Sequence, residues 1–105
     1  MLNHINTDSF TEEVLNSKGI VVVDFFATWC APCKMLSPIL EELQTEMGEK
    51  VKIVKLDVDE SGEIANKYGV QSIPTIKIFK DGADVETKVG FMPKEVLKEA
   101  LEEVL

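Results

Sequence analysis

The two cysteines of the chain, Cys30 and Cys33, are the residues best suited to chemistry. They are separated by Ala31 and Pro32, and they lie where an apolar run ends and a helical pattern begins. A thiol at a helix start faces unpaired backbone N–H groups and the positive end of the helix dipole, and both favour the thiolate. The spacing therefore predicts a redox pair in which Cys30, at the mouth of the helix, is the nucleophile and Cys33, one turn further in, is the resolving thiol.

Three other interpretations of the pair are open at this point. A structural crosslink would close a loop of only four residues, for which chain entropy predicts about 2 kcal/mol. A zinc site would need two further soft ligands, whereas the sequence has one histidine, His4, and no other cysteine. Inert buried thiols would require neither the intervening proline nor the adjacent Trp29. Redox chemistry is favoured over all three.

The surrounding sequence alternates between strand and helix patterns. Residues 20–26 are β-branched and aromatic without polar alternation, which is typical of a central strand covered on both faces. The other predicted elements are a short strand at 2–5, a helix from a Ser9–Glu12 capping box to Gly19, a helix from Pro32 to Gly48 with a kink at Pro38, a strand at 51–58, a helix at 61–68, a hairpin of strands 75–80 and 85–89 around Asp81-Gly82, and a helix from Pro93. This order predicts one α/β domain over residues 1–105, with a mixed central sheet of four to five strands and helices on both faces.

Asp24 is the unusual residue of the predicted central strand. Three valines precede it and two phenylalanines follow it, so we expect burial to raise its pKa. The alternative is an aspartate at a strand edge that faces water.

Composition and charge argue against several classes of partner. The net charge is −8, from 19 acidic residues against 11 lysines and no arginine. Such a balance repels nucleic-acid backbones and anionic membrane surfaces. The longest apolar stretch is far shorter than the roughly 20 residues of a membrane-spanning helix, and the first residues lack the pattern of a secretory signal. We therefore expect no nucleic-acid or membrane partner and a cytoplasmic location.

The segment from Val23 to Lys34, centred on Trp29-Cys30-Ala31-Pro32-Cys33, resembles the active-site segment of the thioredoxin family. Segments 55–59, 67–70, 73–75, 79–82 and 89–90 also resemble that family in order and spacing, so the resemblance covers nearly the whole chain. One departure lies inside the motif, because Ala31 stands where the family usually has glycine. The added methyl group, next to the attacking sulfur, is expected to narrow the choice of substrates.

The resemblance implies the thioredoxin fold and a protein disulfide reductase that works by thiol–disulfide exchange through Cys30 and Cys33. It implies that Asp24 exchanges a proton with the inner thiol and that Lys55 approaches this carboxylate; a plain surface lysine is the alternative. It also implies a cis-proline at Pro74, opposite the cysteines. The substrate would bind a surface that we call the rim, formed by Trp29, Ala31, Pro32, Ile73, Pro74, Thr75, Gly90 and Phe91, although Phe91 is equally compatible with core packing.

The same resemblance implies partners rather than a bound cofactor. The glycines are scattered and no G-x-G-x-x-G follows a strand, so no cofactor site is expected in this chain. The expected partners are disulfide-containing target proteins and a flavin-containing, NADPH-dependent thioredoxin reductase that recycles a monomeric protein. Two other functions stay open: a disulfide oxidase or isomerase, and a non-catalytic binding subunit.

Overall fold

A computed structural model describes residues 2–105 as a five-stranded sheet with helices on both sides. The strands are β1 (Asn3–Ile5), β2 (Ile20–Phe26), β3 (Val51–Asp57), β4 (Thr75–Lys80) and β5 (Ala83–Val89), and the helices are α1 (Ala31–Met47), α2 (Gly62–Lys67) and α3 (Lys94–Val104). A short π-helical turn covers Thr11–Leu15, and a 3₁₀ turn covers Gly48–Lys50. The predicted fold class is confirmed.

The sheet is mixed, with the strand order β1-β3-β2-β4-β5. β3 runs parallel to both β1 and β2, whereas β4 is antiparallel to both β2 and β5. All seven residues of β2 are buried, as expected of a strand that has a neighbour on each side and helices on each face. The carboxyl end of β2, which leads to the cysteines, is therefore held at the centre of the fold.

Two apolar layers enclose the sheet. One layer joins alternate strand residues such as Val22 and Ile53 to α1 and α3. The other joins the intervening residues, such as Val23 and Val54, to the first helical turn and α2. Asp24 has the same parity as Val22, and its side chain therefore lies on the face that α1 covers.

The predicted hairpin is confirmed, with a correction to its second strand. Asp81 and Gly82 form the two-residue turn with φ values of +51° and +84°, which is the left-handed backbone of a type I′ turn. β5 begins at Ala83 rather than at Val85. The pairing shifts between Ile78 and Phe79, so that Val85 lies at the irregularity instead of opening the strand.

The helices near the two ends of the chain also differ from the prediction. The predicted capping box does not form, because the hydroxyl of Ser9 bonds to Asn6, which in turn accepts from the Ser9 N–H. The helix that follows is only the short π-helical turn. At the other end, Pro93 is the N-cap of α3, with extended backbone, rather than its first helical residue.

The long helix α1 runs without interruption from Ala31 to Met47 and contains Pro38. Its buried residues, Leu36, Leu40, Leu43 and Met47 among them, form one face against the sheet. No helix within residues 2–105 is both long enough and apolar enough to cross a membrane.

Candidate active site

The two cysteines form a disulfide at the start of α1. Cys30 is the N-cap residue, and its Sγ accepts a hydrogen bond of 3.2 Å from the backbone N–H of Cys33. Pro32 lies in the first turn, where its missing N–H would have no partner within the helix. The sulfur of Cys30 therefore occupies the place that an oxygen-bearing side chain usually takes at a helix N-cap.

Exposure does not distinguish the two cysteines in this oxidised state, since Cys30 is 4% exposed and Cys33 is 3% exposed. Their positions do distinguish them. Cys30 accepts from an amide at the positive end of the helix, which favours its thiolate once the pair is reduced. Both sulfurs belong to a small buried cluster with Phe26 and Ala27, and Ile73 packs against it.

Asp24 is completely buried, and neither carboxyl oxygen has a hydrogen-bond partner among residues 2–105. Burial raises the pKa of Asp24 from 3.8 to about 7, against a smaller lowering by the charge of Lys55. The alternative in which Asp24 faces water is therefore wrong. A carboxyl group with a pKa near neutrality can take up or release a proton under working conditions.

Lys55 lies beside Asp24 in the sheet, since the two residues are register partners of β3 and β2. The Lys55 Nζ is 4.0 Å from Asp24 Oδ2, 3.1 Å from the Ser37 hydroxyl and 4.5 Å from the centre of the Phe26 ring. His4 of β1 pairs with Lys55 on the other side. Lys55 is therefore not a plain surface lysine: its ammonium is held between the sheet and α1.

A cleft of about 330 Å³ opens beside this group. Its lining consists of Phe26, Ala27, Thr28, Cys33, Lys34, Ser37 and Lys55. Water in the cleft would reach both the inner cysteine and the lysine that neighbours Asp24.

The two aromatic members of the rim are open to solvent. Trp29 is 68% exposed, and its indole N–H donates a 2.8 Å hydrogen bond to Asp59 Oδ2. Phe91 is 46% exposed, so the alternative of core packing is wrong for this residue. Ala31 and Pro32 are exposed in the first turn of α1.

The peptide bond between Ile73 and Pro74 is cis, as the resemblance implied. The Pro74 carbonyl accepts a 2.8 Å hydrogen bond from Gly90 N–H, which joins two segments of the rim. Thr75 differs from the others. It is buried on the sheet face opposite Asp24, and its hydroxyl donates to the Ser72 carbonyl, so its side chain cannot contact a substrate at the disulfide.

Three contributors to the site, Asp59, Ser37 and Phe26, were not predicted from the sequence. Asp59 follows β3 and Trp29 follows β2, and the pairing of Phe26 with Asp57 brings the two following loops together. The available sequence signal for Asp59 was an acidic residue just beyond β3, the neighbour of the strand that leads to the cysteines. No sequence signal linked Ser37 to Lys55.

Comparison with known proteins agrees with this geometry. The family model described as Thioredoxin matches residues 1–103. The chain belongs to the thioredoxin family. It is 62% identical to the thioredoxin of Bacillus subtilis (strain 168) over 91 residues, which cover 87% of this chain and 86% of the relative. It is 52% identical to the thioredoxin of Listeria monocytogenes serovar 1/2a over 101 residues, which cover 96% of each chain, and 48% identical to that of Rickettsia bellii over 99 residues, which cover 94% of each.

Family membership and the disulfide at the start of α1 together establish the activity. The protein is a thiol–disulfide oxidoreductase that reduces protein disulfides, and its partners include disulfide-containing target proteins. Within residues 2–105, no three side chains of His, Cys, Asp or Glu cluster in a way that would hold a metal ion.

Proposed function

We propose that Cys30 attacks the substrate and that Cys33 resolves the intermediate. The Cys30 thiolate forms a bond to one sulfur of the substrate disulfide, whose S–S bond breaks, and the departing thiolate takes a proton from solvent. Cys33 then loses its proton and bonds to the Cys30 sulfur, which releases the second substrate thiol. Two electrons pass from the protein dithiol to the substrate, and the Cys30–Cys33 disulfide remains. The observation that carries this assignment is the amide hydrogen bond to the Cys30 sulfur at the N-cap of α1.

We assign to Asp24 the proton that Cys33 gives up. A pKa of about 7 lets the carboxylate accept a proton near neutrality, and the lack of hydrogen-bond partners leaves its oxygens free to do so. Lys55 opposes the burial effect by its charge, and so keeps a part of Asp24 ionised. Lys55 is in this account a positioning residue, because it acts on the thiol only through Asp24.

The substrate is proposed to bind the rim as an extended segment. The backbone N–H and C=O of Ile73 have no hydrogen-bond partner within residues 2–105, so both are available to a strand of the substrate. The exposed aromatic surfaces of Trp29 and Phe91 would cover its apolar side chains. Of the rim residues, Thr75 would contribute through its backbone only, given the burial of its side chain.

The oxidised protein must be reduced before it can act again. We propose that a flavin-containing, NADPH-dependent thioredoxin reductase supplies the two electrons, and that the protein works as a monomeric single domain in the cytoplasm. A reducing compartment favours this direction of exchange.

The experiment that tests these roles compares the variants Cys30→Ser and Cys33→Ser in insulin reduction with reductase and NADPH. Both should lose activity, but only Cys33→Ser should accumulate mixed disulfides with insulin or lysate proteins, because attack survives and resolution does not. Dithiothreitol should release the trapped proteins. The assigned roles would be contradicted if Cys33 in the Cys30→Ser variant formed adducts as fast as Cys30 does in the Cys33→Ser variant.

A further inference from the structure

Ser37 lines the same cleft as the inner cysteine and the lysine that neighbours Asp24. Ser37 follows Cys33 by four residues on α1, so the two side chains share one helix face. Its Oγ accepts a 3.1 Å hydrogen bond from Lys55 Nζ. Lys55 in turn is 4.0 Å from Asp24 Oδ2, which is too long for a hydrogen bond.

We propose that Ser37 is a positioning residue for disulfide reduction, which holds the Lys55 ammonium beside Asp24 and thereby sets the pH range in which Asp24 exchanges a proton with Cys33. This inference rests on the proposed role of Asp24.

The surroundings of Lys55 explain why a tether is needed. Its ammonium has three donors, and its side chain borders two clefts, one lined also by Cys33 and Lys34 and the other by His4 and Glu41. Water that enters either cleft would compete for the ammonium. The ammonium makes no hydrogen bond with the carboxylate of Asp24, so that carboxylate does not fix its position. The attraction of the ammonium to the face of the Phe26 ring, 4.5 Å away, is less directional than a hydrogen bond to a hydroxyl. The Ser37 hydrogen bond is therefore the contact that keeps the ammonium in place.

The charged and titratable groups around Asp24 can be assigned element by element. β3 contributes Lys55, and β4 contributes the apolar Ile76 at the paired position. β1 contributes His4, one strand further away. α1 contributes Cys33, Lys34 and Glu41, which line the clefts. Lys55 is the cation closest to the carboxylate, so its position has the greatest effect on the ionisation of Asp24.

Removal of the hydroxyl should let the ammonium withdraw into the clefts. If it retreats from 4.0 Å to about 6 Å, at an effective dielectric constant of about 20, the lost attraction corresponds to a rise of about one pH unit in the midpoint of the Asp24 titration. The variant Ser37→Ala keeps the helix, because alanine is the stronger helix former. Ser37→Thr retains a hydroxyl at the same position.

The test measures the Asp24 titration by ¹³C NMR of its carboxyl carbon in the oxidised protein, in which the cysteines do not titrate, together with the pH profile of insulin reduction. Ser37→Ala should raise the Asp24 midpoint by about one unit and move the acid limb of the activity profile in the same direction. Ser37→Thr should restore both. Thr45→Ala, which removes an exposed hydroxyl from the same helix, is the matched control and should change neither.

A second background isolates the route through Lys55. In Lys55→Met, the addition of Ser37→Ala should produce no further shift, because there is no ammonium left to position. An unchanged Asp24 titration in Ser37→Ala, or an equal shift in both backgrounds, would overturn the proposal. Neither result would affect the trapping of mixed disulfides by Cys33→Ser, so a failure of this inference is distinguishable from a failure of the proposed function.

Discussion

The substitution Asp24→Asn should make the protein more stable, and increasingly so as the pH rises. Asp24 is completely buried and has no hydrogen-bond partner in the part of the chain that the structure describes, so its charged form is poorly solvated in the folded state. Asparagine has nearly the same shape and does not ionise. The variant therefore removes the cost of ionisation while it leaves the packing around β2 unchanged.

The magnitude follows from the pKa of Asp24, which burial raises from 3.8 to about 7. Well below about pH 4 the carboxyl group is protonated in both the folded and the unfolded chain, so its ionisation does not lower the stability of the fold. Between about pH 4 and pH 7 only the unfolded chain ionises freely, so folding loses stability as the pH rises. Above the folded pKa the loss reaches its full value of about 4 kcal/mol. The stability gained by Asp24→Asn should thus grow by about 3 kcal/mol between about pH 4.5 and pH 8.5.

Guanidinium unfolding of the oxidised wild type and variant, across this pH range, measures the difference directly. A change of about 3 kcal/mol corresponds to a shift of roughly 0.5–1.5 M in the midpoint. The other acidic residues titrate in both proteins and cancel in the comparison. Asp8→Asn, which removes the same charge from an exposed position, is the matched control. The reasoning would be refuted if the stability gained by Asp24→Asn varied with pH no more than that of Asp8→Asn. It would also be refuted if Asp24→Asn were less stable than wild type at about pH 8.5.

Two further predictions concern the β4–β5 hairpin. Gly82→Ala should destabilise the fold by more than about 3 kcal/mol, because the added Cβ would lie 2.4 Å from the Leu15 carbonyl oxygen. The control Gly69→Ala, at φ +67° with nothing within 4 Å of the added carbon, should cost only about 1–2 kcal/mol. Equal losses of stability for the two variants in urea unfolding would count against the close approach at Gly82. Asp84→Ala should cost about 1–3 kcal/mol, because Lys77 is 7% exposed and its ammonium is 2.9 Å from the Asp84 carboxylate; the range allows for the partial exposure of Asp84, and an unchanged unfolding midpoint would show that the pair is solvated.

The parts of the fold that could be predicted are those in which one local sequence motif determines the backbone and no second motif uses the same hydrogen-bonding groups. Asp81-Gly82 adopts left-handed backbone at both positions, and few other dipeptides do so, which is why the hairpin was predictable. The Ser9–Glu12 spacing is also a local rule, but it failed because Asn6, three residues before Ser9, takes the hydroxyl. When two local motifs share one donor or acceptor, the sequence pattern does not say which of them forms.

The same distinction separates the predictable from the unpredictable parts of the site. The burial of Asp24 follows from its apolar neighbours within β2, and the N-cap position of Cys30 follows from the junction of a strand with a helix. The cis bond before Pro74 was expected from family resemblance alone, since most X-Pro bonds are trans. The contact of Ser37 with Lys55 depends on where α1 packs on the sheet. The two residues are 18 positions apart, and no local sequence pattern predicts that packing. Burial within one strand raises the pKa of Asp24. In the proposed arrangement, the position of Lys55, whose charge limits that rise, depends on the placement of a helix. On this proposal, a substitution in α1 that leaves every motif intact changes the pH range in which the thiol pair works.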